Sequence, residues 1–171
     1  MNPIDKIREL QRNNTLRNLA ALPRKRRIFH LDDVRSIGLI LHAVSEEEKM
    51  TVDHFVHHMN ARGCMVRKIE MLANDENNID KNGLPKAGFL QFFSSYHYDL
   101  LIDTTPNEDL FGLYATLTTK ADLKCAYQDT TADFSTISTA AYDFIIRGEG
   151  PCTIENLLTE ILSYLVQIRK Q

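Results

Sequence analysis

Tyr98-Asp99-Leu100-Leu101-Ile102-Asp103 returns 44 residues later as Tyr142-Asp143-Phe144-Ile145-Ile146-Arg147. Each copy has a tyrosine and an aspartate at its entrance, an unbroken apolar run, and a charged residue where the run ends. A short apolar run without alternation predicts a strand covered on both faces, as in a parallel sheet sandwiched between helices.

Working outward from the two copies, the pattern from Ser36 onward is strand followed by helix. The predicted strands are Ile37 to Leu41, Met65 to Ile69, Leu100 to Ile102, Leu123 to Ala126 and Phe144 to Ile146. Between them lie predicted helices over Ser45 to Arg62 (stopped by Gly63), Ala87 to Tyr96 and Pro106 to Thr119, and a polar loop over Asn74 to Gly83. Ile154 to Arg169 closes the chain as an amphipathic helix with Ile154, Leu157, Leu158, Ile161, Leu162, Leu165 and Ile168 on its apolar face. Alternation of this kind implies parallel strands joined by right-handed crossovers. The expected fold is a three-layer, doubly wound, Rossmann/flavodoxin-like α/β domain with a mostly parallel five-stranded sheet. The expected strand order is 2-1-3-4-5, with 3-2-1-4-5 as the alternative.

Before this domain (residues 31–171) comes a basic helical arm (residues 1–30). Asn13-Asn14-Thr15 interrupts its helix formers with turn and cap residues, predicting two short helices that end before Pro23. Residues 1–27 hold eight Lys or Arg against Asp5 and Glu9, a charge of +6; with a total of −3, the other 144 residues carry −9. Arg24-Lys25-Arg26-Arg27 is the densest cationic run and a candidate for contacting a polyanion such as RNA. The plainer expectation is that the arm packs on its own acidic domain or on that of a second copy, which also covers Leu16, Leu19 and Leu22.

At 171 residues, 43% hydrophobic and 25% charged, the composition is that of one globular domain. The polar start is unlike a secretory signal, and no apolar run approaches the ~20 residues a membrane helix needs. Cys64, Cys125 and Cys152 are odd in number and include no Cys-x-x-Cys pair, so a reducing, cytoplasmic setting is expected.

Ligands of doubly wound sheets bind outside the carboxyl ends of the strands, where the strand order reverses. For order 2-1-3-4-5 that crevice falls between strands 1 and 3. His42 leaves strand 1 there, and Asp103, Thr104 and Thr105 leave strand 3. His42 with Asp103 would make an acid–base pair, the carboxylate fixing the tautomer of the imidazole. The plainer alternative is that His42 only ends a strand and Asp103 binds nearby amides. Arg147, Gly148 and Gly150, after strand 5, form a second candidate ligand turn, in which two glycines admit a ligand to the backbone.

Other motifs point to structure. Thr105-Pro106-Asn107-Glu108 and Ser45-Glu46-Glu47-Glu48 both have the form of capping boxes. Glu46, Glu47, Glu48, Glu108 and Asp109 would then occupy the helix starts that otherwise bind phosphate. The chain has no G-x-G-x-x-G and no G-x-x-x-x-G-K-[ST], so no nucleotide cofactor is expected. His54, His57 and His58 fall opposite the stripe Val52, Phe55, Val56 and Met59, on the solvent face, and no metal is expected. Asn78-Ile79-Asp80-Lys81-Asn82-Gly83 mimics a calcium loop, but Phe89 stands where the bidentate glutamate belongs.

Two resemblances add to this reading. The run Tyr98 to Asp103, then Leu110-Phe111-Gly112-Leu113-Tyr114-Ala115 and Ala121-Asp122-Leu123-Lys124-Cys125-Ala126-Tyr127, resembles the acceptor-side Rossmann-like half of heptosyltransferase-type GT-B glycosyltransferases. Transferase activity does not follow, because the resemblance does not extend to a donor-binding half. The opening Lys6 to Leu19, with Leu22 to Arg27 and Ala126-Tyr127-Gln128-Asp129, is similar to a family of short, uncharacterised bacterial proteins, over most of the chain. That family implies a bacterial source and no mechanism. The leading expectation is a non-enzymatic binding or protein-interaction module, self-associating through the arm or binding another protein. The alternative is a small-ligand binder or enzyme using the crevice at the carboxyl ends of strands 1 and 3, with His42 and Asp103.

Overall fold

The computed structural model describes residues 2–133 and 135–168. Five strands run β1 (Ser36–His42), β2 (Met65–Met71), β3 (His97–Asp103), β4 (Lys120–Asp129) and β5 (Phe144–Gly148). They form one sheet in the order β2-β1-β3-β4-β5, and every neighbouring pair is parallel. Among the described residues six α-helices accompany them: α1 (Pro3–Ala20), α2 (Glu46–Ala61), α3 (Ala87–Ser94), α4 (Leu110–Thr118), α5 (Thr136–Ala141) and α6 (Ile154–Gln167). Arg169, the expected end of the last helix, lies outside the described residues.

Strand alternation sorts the core into layers. Leu39, Leu41, Leu100, Ile102, Leu123 and Cys125 face α2 and α6, meeting Val52, Phe55 and Met59 from one and Leu157, Leu158, Ile161 and Leu165 from the other. Ile40 and Leu101 face the opposite way, toward Leu90 and Phe93 of α3 and Phe111 of α4. Ala126 meets Leu113 of α4, Ala141 at the end of α5, and Leu16 of α1.

The repeated tyrosine–aspartate entrance has a physical role. Asp99 Oδ2 accepts from the amides of Arg35 and Ser36, at 2.8 and 2.9 Å, securing the start of neighbouring β1. Asp143 Oδ2 does the same for the Lys124 amide of β4 at 2.9 Å. In each copy the aspartate supplies an acceptor where the parallel ladder begins. The second copy, however, forms an edge strand: β5 is half-buried, and Phe144 stacks on Tyr164 of α6 at 4.1 Å between centroids.

The arm departs from the sequence expectation. α1 is one continuous helix, capped by Asn2, whose side chain accepts from the Ile4 amide. Thr15 Oγ1 bonds back to the Gln11 carbonyl at 3.0 Å instead of capping a second helix. Burial of Leu16 among Leu84, Leu113 and Tyr142 outweighs the local preference of Asn13-Asn14-Thr15 for a turn. Beyond α1, Arg24 donates to Asp143 Oδ2 at 2.6 Å and to the Ala141 carbonyl, while Arg26 pairs with Asp143 Oδ1 at 2.7 Å. The Arg27 amide donates to the Asp122 carbonyl. Lys25 is exposed beside a cavity described below.

Two further corrections concern the chain after β3. The helix expected from Pro106 begins at Leu110, with Asp109 as its cap, and Thr105 forms no capping box. α5 is short, contains two threonines and a serine, and gives no periodic signal in the sequence. The box at α2 does form, Ser45 and Glu48 each bonding the other's amide. His54, His57 and His58 are exposed. Asp80 Oδ1 accepts from the Asn82 and Leu84 amides, so the calcium-like segment is a self-bonded turn. No helix among the described residues is long and apolar enough to cross a membrane.

Candidate active site at the carboxyl ends of β1 and β3

A cleft of about 600 Å³ opens where the strand order reverses, a size that suits a small ligand. His42 stands in its floor. It follows Ile40 by two residues and so projects toward α4, where its ring meets Phe111 edge-on at 5.8 Å. Its Nδ1 lies 2.6 Å from Asp109 Oδ2, and the same carboxylate caps α4 by accepting from the Gly112 amide at 2.9 Å. A carboxylate on Nδ1 favours the proton there and leaves Nε2 as the basic nitrogen.

The carboxylate serving His42 is therefore Asp109, where the sequence suggested Asp103. Asp103 is 2% exposed and does not line the cleft. Its carboxylate accepts from the Thr105 amide (2.9 Å), Thr105 Oγ1 (2.7 Å), Thr116 Oγ1 (3.3 Å) and Tyr142 Oη (2.6 Å). Gly112 makes this burial possible: a Cβ there would collide with Thr105 Oγ1 and come within 2.7 Å of Asp103 Oδ2. Burial pushes the Asp103 carboxyl up to about 6, against the pull of its hydrogen bonds. Burial first, and then the Asp103 charge, likewise raises the Tyr142 phenol well above its ordinary value.

The rest of the cleft is pre-set by its own bonds. Thr104 Oγ1 donates to the Ile40 carbonyl at 2.8 Å, tying the end of β3 to β1. The Asn107 amide brackets Asp129, donating to its carbonyl and accepting from its N–H at 2.9 and 3.0 Å. Asp129 Oδ1 in turn accepts from Thr131 and from the Gly150 amide, and the Thr131 bonds hold this carboxyl below its usual range. Tyr127 Oη donates to the Gly150 carbonyl at 2.8 Å. Ala43 and Glu108, both flanking the cleft, adopt positive φ of 50° and 58°, a conformation that costs a non-glycine residue about 1–2 kcal/mol.

Among the sequence candidates, then, His42, Thr104 and Thr105 line the cleft, while Arg147, Gly148 and Gly150 do not. Gly148 lies against Tyr127, and Gly150 serves its turn through φ +78°. The residues missed by sequence are Asp109, Asn107, Tyr127 and Asp129. The density of turn formers in Asn107-Glu108-Asp109, just before the apolar run from Leu110, was the available signal.

Electrostatically the lining contains Glu48, Asp109 and Asp129 but, among the described residues, no lysine or arginine. Each of the three is already engaged: Glu48 in its capping box, Asp109 with His42 and Gly112, Asp129 with Thr131 and Gly150. Among the described residues no group of three His, Cys, Asp or Glu side chains is placed to hold a metal ion. Cys152 borders the cleft, but partial burial raises its thiol, the reverse of an activated nucleophile. What the arrangement can do is move a proton at His42 Nε2.

This order of strands and this placement of a cleft define a flavodoxin/CheY-like, doubly wound α/β protein. The chain belongs to a family of unknown function (DUF6913), whose model matches residues 5–168. None of the curated proteins matches it. Among solved structures it is similar to the response regulator receiver domain (CheY-like) from Methylobacillus flagellatus. The identity is 16% and the TM-score 0.44, covering 77% of this chain and 98% of that one.

Proposed function

We infer that this protein binds a small ligand in the β1/β3 cleft and uses His42 as an acid–base group toward it. The observation that carries this reading is the 2.6 Å contact of His42 Nδ1 with Asp109 Oδ2 at the strand-order reversal. A carboxylate that holds an imidazole tautomer while also capping a helix places a base with little freedom to move. The lining selects the ligand. Three carboxylates with no lysine or arginine among the described lining residues, and helix starts at Ser45, Asp109 and Thr153 that cap themselves, disfavour phosphate. A neutral or cationic molecule bearing a hydroxyl or amine, whose proton His42 could accept, fits this lining.

The test is a titration of ¹⁵N-labelled protein with polyols, sugars, amino alcohols, amines and sugar phosphates. Ligands of the first four kinds should shift Ala43, Thr104, Asn107 and Asp109, and His42→Ala should weaken them. Shifts confined to the phosphorylated compounds, or none in the cleft at millimolar concentration, would refute the reading.

A second reading is favoured by Ile4, Ile7 and Leu10, which are 57%, 55% and 56% exposed along the first half of α1. They support an interaction surface there, for a second copy or another protein. Sedimentation of the wild type beside an Ile4→Glu, Ile7→Glu variant tests it, a loss of mass being the supporting result. The arm cations Arg24 and Arg26 pair with Asp143, which supports a role within the chain over contact with RNA.

A further inference from the structure

At the opposite end of the sheet, where the strands begin, a separate cavity of about 360 Å³ lies under the segment linking α1 to the body. Leu19, Leu22, Pro23, Leu117 and Ala121 give it apolar walls. Arg24, Lys25, Lys120, Lys124 and His97 also line it, and among the described residues no carboxylate does.

Two buried polar groups on this lining lack full partners. Thr119 is 2% exposed, and its Oγ1 has no hydrogen-bond partner among the described residues. Lys124 is 3% exposed and donates to one acceptor, the Thr116 carbonyl, although an ammonium carries three donors. Buried polar groups without partners are uncommon in folded proteins and costly, by about 1–3 kcal/mol each. The other cations do not share this deficit: Arg24 is satisfied by Asp143 and Ala141, His97 lies 2.6 Å from Asp122, and Lys25 and Lys120 reach solvent.

We propose that this cavity binds a small monocarboxylate with an apolar body, its anionic oxygens on Lys124 and Thr119 and its chain against Leu19 and Leu117. One buried ammonium and one hydroxyl match a single negative charge, and the apolar walls require more than an inorganic ion. Burial, together with the nearby Arg24 charge, lowers the Lys124 ammonium to about 8, and a bound carboxylate would stabilise its charged form. The site is independent of the His42 cleft and its occupant need not be the same.

Isothermal titration of the full chain with octanoate, octanol and octylamine tests this. Octanoate should bind at least about tenfold tighter than octanol, the value of one charge-assisted hydrogen bond, and octylamine should not bind. Lys124→Met, which keeps length and removes a buried charge, should cost octanoate about tenfold or more. Thr119→Val should cost severalfold, with the circular dichroism of both variants unchanged. Equal affinity for octanoate and octanol, no octanoate heat at millimolar concentration, or octanoate binding unaltered in a folded Lys124→Met or Thr119→Val variant would overturn the proposal.

Discussion

Asp103→Asn probes the most buried charge in the protein. The folded carboxyl titrates near 6 while its ordinary value is 3.8, so the native state holds its proton more tightly than the unfolded chain. The sign follows directly: a carboxyl raised by folding destabilises the native state when ionised and ceases to do so as the pH falls through 6 toward 4. With about 1.4 kcal/mol per pKa unit, and no solvent to screen a group this deeply buried, the whole effect is about 3 kcal/mol. About 2 kcal/mol of it falls between pH 7 and 4.5. Asn cannot titrate; it replaces one acceptor oxygen by a donor facing Thr105, Thr116 and Tyr142, a cost that does not vary with pH. Urea unfolding of both proteins from pH 4.5 to 7.5 gives the comparison. The wild type should gain about 2 kcal/mol relative to the variant as the pH is lowered. A difference that stays constant across this range, or one that shrinks toward acid, would refute the reasoning.

Gly112→Ala should destabilise by about 3 kcal/mol in the same unfolding assay, because the new methyl must displace Thr105 or the Asp103 carboxylate and neither is free to move. Arg24→Ala and Arg26→Ala separate the arm's two ion pairs. Arg24 is mostly covered, so its loss leaves the Asp143 carboxylate short of a buried partner at a cost of about 2 kcal/mol, whereas Arg26 is 61% exposed and should cost under about 1 kcal/mol. A gel shift with mixed RNA should show no retention by the wild type at physiological salt. Retention that the Arg24, Lys25, Arg26 and Arg27 alanine variant abolishes would reverse the role given to the arm.

The strands and helices were readable because the evidence for them is local, whereas their order in the sheet, 2-1-3-4-5, is one of the two that the sequence left open. The runs Ile37 to Leu41 and Leu100 to Ile102 are unbroken, and the intervening segments carry helix periodicity and caps such as Ser45 to Glu48. The site was legible in position but not in partnership. That His42 leaves β1 at the reversal follows from topology, but its carboxylate lies 67 residues away in a turn whose shape depends on burial elsewhere. Thr105-Pro106-Asn107-Glu108 satisfies the local rule for a helix start. The rule fails because the buried Asp103 carboxylate takes both the amide and the hydroxyl of Thr105, and the helix is capped by Asp109 and begins at Leu110 instead. The same kind of non-local event joins the arm into one helix, through Leu16, and makes β5 an edge. Nothing in the sequence distinguishes Lys124 and Thr119 from surface residues beside a strand start; only the packing of α4 and the arm encloses them.

An acid–base role for His42 in the cleft requires Asp109 to fix its tautomer, so the tautomer is the property to measure. Long-range ¹H–¹⁵N correlation of the histidine side chains, in wild type and in Asp109→Asn, reads which ring nitrogen carries the proton. In its neutral form wild-type His42 should carry the proton on Nδ1 and leave Nε2 bare, and it should lose that preference when Asp109 is replaced. A wild-type His42 protonated at Nε2, or a tautomer indifferent to Asp109, would contradict that role.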